Sequence, residues 1–199
     1  MSDSSSPTSA RHLVLIGYRG SGKSTIGKLV ARLLGLDYLD TDTQIQEKAG
    51  KSIREIFADH GEEAFRDMET AILRDLSTLK SLPASVIATG GGMIMRPENR
   101  DLLKALGLVI WLEVSPEVAT ARITADTFTG EQRPPLSDQS LADEVERMLS
   151  LRNPVYAELA SIQISNNAAD LSAEDVADSL IGKIRQTHWY QAFEKQIDS

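Results

Sequence analysis

The segment that most limits what this chain can fold into is Gly17-Tyr18-Arg19-Gly20-Ser21-Gly22-Lys23-Ser24, a G-x-x-x-x-G-K-S string set directly after the apolar run Leu13-Val14-Leu15-Ile16. The run reads as a buried strand, and Lys23 to Leu34 carries a helical pattern. Strand, glycine-rich turn and helix in that order form the setting in which such a string grips phosphate. Glycines let backbone N–H groups converge on phosphate oxygens, and the helix start adds positive potential. Lys23 can reach the β- and γ-phosphates of a nucleotide, and the Ser24 hydroxyl can ligate magnesium. The string alone does not separate a kinase from a GTPase or a motor. The chain shows no Asn-Lys-x-Asp or Thr-Lys-x-Asp segment for reading guanine and no Asp-x-x-Gly switch. That leaves a small-molecule kinase or a nucleotide-binding module without chemistry.

The remaining pattern sets an architecture around this loop. Further short apolar runs occur at Tyr38-Leu39, Val86-Ile87-Ala88, Val109-Ile110-Trp111-Leu112 and Ile162-Gln163-Ile164. Helical stretches between and after them cover Glu62 to Leu79, Glu98 to Leu106, Pro116 to Thr124, Leu141 to Leu159 and Ala173 to Thr187. Ser115-Pro116-Glu117 and Ser172 with Glu174 and Asp175 mark helix starts. Such alternation predicts an α/β fold, a parallel sheet with helices on both faces. The 199 residues fit one domain, assigned to 11–199, and the Ser-rich stretch Met1 to Ala10 reads as a flexible tail.

Composition removes several function classes. With no cysteine, thiolate metal sites and cysteine nucleophiles are excluded. Three scattered histidines (His12, His60 and His188) offer neither a zinc site nor a triad. The net charge of −8 disfavours nucleic acid and anionic membranes as partners. No apolar run approaches the ~20 residues that span a bilayer. A cytoplasmic monomer acting on small molecules is expected.

Two further clusters carry chemistry. Asp40-Thr41-Asp42 closes the second strand, where one carboxylate can hold magnesium through water and the other can face an acceptor hydroxyl. Acidic pairs in loops are common, and most are only solvated. Gly90-Gly91-Gly92 closes the third strand; it is either a close approach of backbone to ligand or a flexible turn. The stretch Ala125 to Ser140, with Gly130 and Pro134-Pro135, reads as a lid or binding loop of about 124–140.

Taken in order, the phosphate loop, Leu39-Asp40-Thr41-Asp42, Phe65-Arg66-x-x-Glu69, Gly90-Gly91-Gly92, Arg133-Pro134 and Arg152-x-Pro154-x-Tyr156 resemble the shikimate kinase family, from about Leu13 to Ile184. The resemblance implies a P-loop three-layer α/β/α fold like that of nucleoside monophosphate kinases, with a five-stranded parallel sheet in order 2-3-1-4-5. It implies ATP as co-substrate, shikimate as acceptor, phosphorylated at its 3-hydroxyl in aromatic amino-acid biosynthesis, and magnesium as cofactor. By the same resemblance Gly20, Ser21, Gly22, Lys23, Ser24, Thr25, Arg122 and Arg133 bind ATP, with Arg122 against adenine and Arg133 on the lid. Ser24 binds the metal directly and Asp40 binds it through water. Asp42, Arg66, Gly90, Gly91, Gly92 and Arg152 grip the acceptor within a region that includes 41–69, and Lys23, Asp42 and Arg133 carry the chemistry. The lid departs from the family by reading Arg-Pro-Pro-Leu, and His188 to Ser199 extends past the matched region as a terminal helix with no catalytic part. The rival readings are another kinase of this architecture, acting on gluconate or a nucleoside monophosphate, and a non-catalytic homologue. The glycine triplet and Phe65-Arg66-x-x-Glu69 argue against the first, and the presence of Lys23, Asp42 and Arg133 argues against the second.

Overall fold

The apolar run Leu13 to Ile16 lies in the middle strand of a parallel sheet, and both of its faces are covered. Val14 and Ile16 join one apolar cluster and Leu13 and Leu15 another, because successive side chains leave a strand on opposite sides. That is why the run shows no polar alternation. Burying each such side chain contributes about 1.5–3 kcal/mol. The structure, a computed structural model, describes residues 11–79, 81–125, 140–167 and 171–197. The expected tail (1–10) lies outside these residues, as do lid residues 126–139 with Gly130, Arg133, Pro134 and Pro135.

Strands β1 (His12–Ile16), β2 (Asp37–Asp40), β3 (Ser85–Ala88), β4 (Gly107–Glu113) and β5 (Ile162–Ser165) lie in the order β2-β3-β1-β4-β5. All four pairings are parallel, with Leu13 opposite Val86 and Leu108, Asp40 opposite Ala88 and Glu113 opposite Ser165. The expected fold class and strand order are what the structure holds.

One face packs against α2 (Thr41–Ala49), α3 (Ile53–Thr78), α4 (Pro97–Leu106) and α6 (Leu141–Leu159) through residues such as Ile45, Phe65, Leu73, Leu103 and Tyr156. The other packs against α1 (Lys23–Leu34) and α7 (Ala173–Ile184) through Ile26, Val30, Val176 and Leu180. Helix α8 (His188–Ile197) adds Trp189 and Tyr190 to this second face, so the expected terminal helix is present. A third cluster joins α5 (Pro116–Ala125) to α6 beneath the phosphate loop, with Tyr18, Ala119, Ile123, Val145 and Leu149.

Two helical features went beyond the sequence reading. Helix α2 was not expected, because its face buries only Thr41 and Ile45 and leaves almost no apolar stripe. Its start is set by Asp40, whose carboxylate accepts from the N–H groups of Asp42 (3.0 Å) and Thr43 (3.4 Å). Helix α3 begins at Ile53 instead of Glu62, behind a Ser52–Glu55 capping box, and kinks at Gly61. The Ser-x-x-Glu spacing was the available signal.

Candidate active site

The phosphate loop leaves β1 and ends at Gly22, whose φ of 89° lies in the left-handed region and starts α1. Among the described residues no side chain caps the start of α1, which leaves that helix end open to a ligand's acceptors. A side chain at Gly22 is excluded twice over, since a Cβ there would also lie 2.6 Å from the Asn166 amide nitrogen. That amide donates to the Ser21 carbonyl at 2.9 Å. Arg122 joins the same group, donating to the Gly20 carbonyl (3.1 Å) and to Asn166 Oδ1 (3.3 Å). Lys23 folds over the loop, its Nζ donating to the carbonyls of Gly17 (2.7 Å) and Tyr18 (2.9 Å). The loop is thus held in shape by its own carbonyls, with Lys23 poised at its mouth.

Ser24 and Asp40 meet at the edge of this loop. The Ser24 hydroxyl lies 3.2 Å from Asp40 Oδ2, which also accepts from the Tyr38 hydroxyl at 3.2 Å. Burial and the neighbouring Asp40 charge push the Tyr38 phenol well above its ordinary range, so it stays a neutral donor. Among the described residues no group of three or more His, Asp or Glu could hold a metal. A divalent ion here would rest on Ser24, Asp40, water and nucleotide phosphates. Such a sparse, all-oxygen donor set suits magnesium.

The second half of the site is built around Gly90-Gly91-Gly92. A Cβ on Gly90 would lie 2.7 Å from Glu69 Oε1 and 2.8 Å from Asp42 Oδ1. One on Gly92 would lie 2.5 Å from the Arg66 guanidinium. The triplet is therefore a close approach, not a slack turn, and three side chains converge on it. Arg66 donates to Glu69 Oε2 (2.7 Å) and Glu62 Oε1 (2.8 Å). Burial works against its charge, but the two carboxylates outweigh burial and hold its pKa above the ordinary arginine value. Arg152, only 7% exposed, donates to the Gly91 carbonyl at 3.2 Å. Its Nε is buried with no hydrogen-bond partner among the described residues. Tyr156 donates to the same carbonyl at 2.6 Å.

The two halves share one wall. The guanidinium groups of Arg19 (5.8 Å) and Arg152 (5.5 Å) both lie over the Tyr18 ring. Arg19 is also anchored to the buried Glu144 of α6 at 2.9 Å. The result is a cleft of about 710 Å³ bordered by Lys23, Ser24, Asp40, Asp42, Gly91 and Arg122. Of the residues expected to bind ATP, Gly20, Ser21, Gly22, Lys23, Ser24, Thr25 and Arg122 come together; Arg133 lies outside the described residues. Asp42, Arg66, Gly90, Gly91, Gly92 and Arg152 also converge. Sequence reasoning missed Asn166, Glu144, Tyr38 and the role of Glu69. Only Glu69 had a visible signal, its helical i,i+3 spacing from Arg66.

The family model for shikimate kinase matches residues 19–185. A shikimate kinase of Rhodopirellula baltica is 45% identical over 157 residues, covering 79% of this chain and 82% of that one. One from Geobacter sulfurreducens is 39% identical over 180 residues, covering 90% and 94%. Among solved structures, the shikimate kinase of Acinetobacter baumannii in complex with shikimate superposes with a TM-score of 0.78 at 34% identity, over 89% of this chain and 94% of that one. With the phosphate loop, Asp42 and Gly91 of the glycine turn bordering one cleft, and with the match running over most of its length, the chain belongs to the shikimate kinase family.

Proposed function

We infer that this protein transfers the γ-phosphoryl group of ATP to the 3-hydroxyl of shikimate, giving ADP and shikimate 3-phosphate. The observation that carries this reading is that Asp42 and Gly91 border the cleft of the phosphate loop, while Arg66 and Arg152 meet the same glycine turn at Gly92 and at the Gly91 carbonyl. Shikimate bears one carboxylate and several hydroxyls. A guanidinium fork matches a carboxylate, and Arg66 and Arg152 supply two of them beside the same glycines. Their cationic pocket lets an acidic protein hold an anionic acceptor.

The acceptor oxygen attacks the γ-phosphorus as the bond to the β-phosphate bridging oxygen breaks. Asp42 orients the hydroxyl and takes its proton. Little covalent work is asked of the protein; it aligns the two substrates and neutralises charge. Lys23 leaves the loop carbonyls to meet the β- and γ-phosphates, Ser24 and Asp40 would hold magnesium, and Arg122 lies against adenine. Arg133 closes on the phosphates from the lid. Magnesium, when bound there, would supply charge that neutralises the transferring phosphates. A cytoplasmic, monomeric enzyme acting on small molecules is the accompanying expectation.

Release of ADP from magnesium-ATP, measured in parallel with shikimate, gluconate and nucleoside monophosphates, tests the assignment. Turnover should require shikimate and magnesium. Turnover with another acceptor and none with shikimate overturns it.

A further inference from the structure

The glycine triplet is the point on which Asp42, Arg66 and Arg152 converge, so what holds the triplet holds the pocket. Its carbonyls lead straight into a 3₁₀ turn, Met93–Met95: Met93 N–H donates to Gly90 (3.1 Å) and Met95 N–H to Gly92 (3.0 Å). The carbonyls of that turn are then captured, one after another, by the first turn of α4. Asn99 Nδ2 donates to the Met93 carbonyl at 2.9 Å. Arg100 Nε donates to the Ile94 carbonyl at 2.9 Å, and its Nη2 reaches the Met95 carbonyl at 3.5 Å. Neither side chain borders the cleft.

Asn99 is an odd choice for a structural filler. It is fully buried, and its Oδ1 has no hydrogen-bond partner among the described residues. Burying an amide with half its capacity unmet costs stability, and an apolar side chain of similar size avoids that cost. What the amide does provide is a fixed length and direction to one carbonyl, three residues from Gly90.

We propose that Asn99, supported by Arg100, is a positioning residue for the acceptor: it locks the 3₁₀ turn so that Gly90-Gly91-Gly92 stays in register with Asp42, Arg66 and Arg152. The proposal rests on the reading that this triplet carries the acceptor.

The test compares Asn99→Leu, Arg100→Met and Arg66→Lys in the full chain, through KM for shikimate and for magnesium-ATP, calorimetric shikimate binding and thermal melting. Asn99→Leu should weaken shikimate roughly tenfold, the lower end of the range for residues that orient a binding group, and leave the magnesium-ATP KM within about twofold. Arg100→Met removes a half-buried side chain that folding can spare, and should weaken shikimate roughly threefold by the same route even if Asn99→Leu does not fold. If Arg66→Lys weakens shikimate while both other variants bind it normally, or lose ATP equally, the positioning role is overturned. If Arg66→Lys also binds shikimate normally, the acceptor reading beneath it falls instead.

Discussion

The phosphate side of the site and the proposed acceptor side are built on different principles. The phosphate side is backbone chemistry from one continuous stretch, Gly17 to Lys23, steadied by carbonyls and by Asn166. The acceptor side is side-chain chemistry gathered from Asp42, Arg66 and Arg152, with a glycine turn as the common seat. Backbone recognition suits an invariant group such as phosphate. Side-chain recognition suits one particular metabolite, because a fork, a carboxylate and a steric limit can each be chosen separately. Tyr18, Arg19 and Arg152 join the two sides, as does Gly91, which packs against the backbone of Gly17 and Tyr18.

The comparison breaks most sharply at Asp42. Asp42→Asn keeps the shape and removes the proposed proton acceptor, so kcat should fall roughly 100-fold or more, the usual worth of a general base. ADP affinity, read by calorimetry, should be unchanged. A nearly normal kcat would put the proton elsewhere.

The two arginines sharpen it next. Arg66→Lys and Arg152→Lys should each weaken shikimate by roughly 1.5–3 kcal/mol, the scale of a hydrogen bond to a charged group. Their nucleotide affinities should differ. Arg66 touches only the acceptor side, whereas Arg152 stacks on Tyr18 of the phosphate loop, so only Arg152→Lys should also shift ADP binding. Identical nucleotide affinities in the two variants would show that Tyr18 does not join the halves.

The smallest effect is the mirror image. Asn166→Ala removes the hydrogen bond to the Ser21 carbonyl and the weaker one accepted from Arg122, and should raise the ATP KM by a few-fold, about 1 kcal/mol, with shikimate binding intact. Loss of shikimate affinity of the same size would mean that the loop and the glycine turn move as one body.

This contrast also explains what could be read from the sequence. The phosphate side was legible because its residues are contiguous and its string has a fixed spacing. The glycine triplet was visible but ambiguous; only the carboxylates of Glu69 and Asp42 against Gly90, and the guanidinium against Gly92, decide that it is a close approach. Asn166 and Glu144 were invisible, because their partners Ser21 and Arg19 lie 145 and 125 residues away and no local pattern links them. Helix α2 was lost for a third reason: a polar helix held by the Asp40 cap and little apolar burial leaves no periodicity to find.

One consequence concerns light. The indole of Trp111 stacks on Tyr156 with ring centroids 5.8 Å apart, and the Tyr156 hydroxyl is bonded to the Gly91 carbonyl. The other tryptophan of the chain, Trp189, sits on α8 on the opposite face of the sheet. Replacing Trp189 with phenylalanine therefore leaves a single tryptophan, one ring and one hydroxyl removed from the Gly91 carbonyl. Excited selectively over the tyrosines, its emission should shift when shikimate binds, giving an optical gauge of occupancy without any dye.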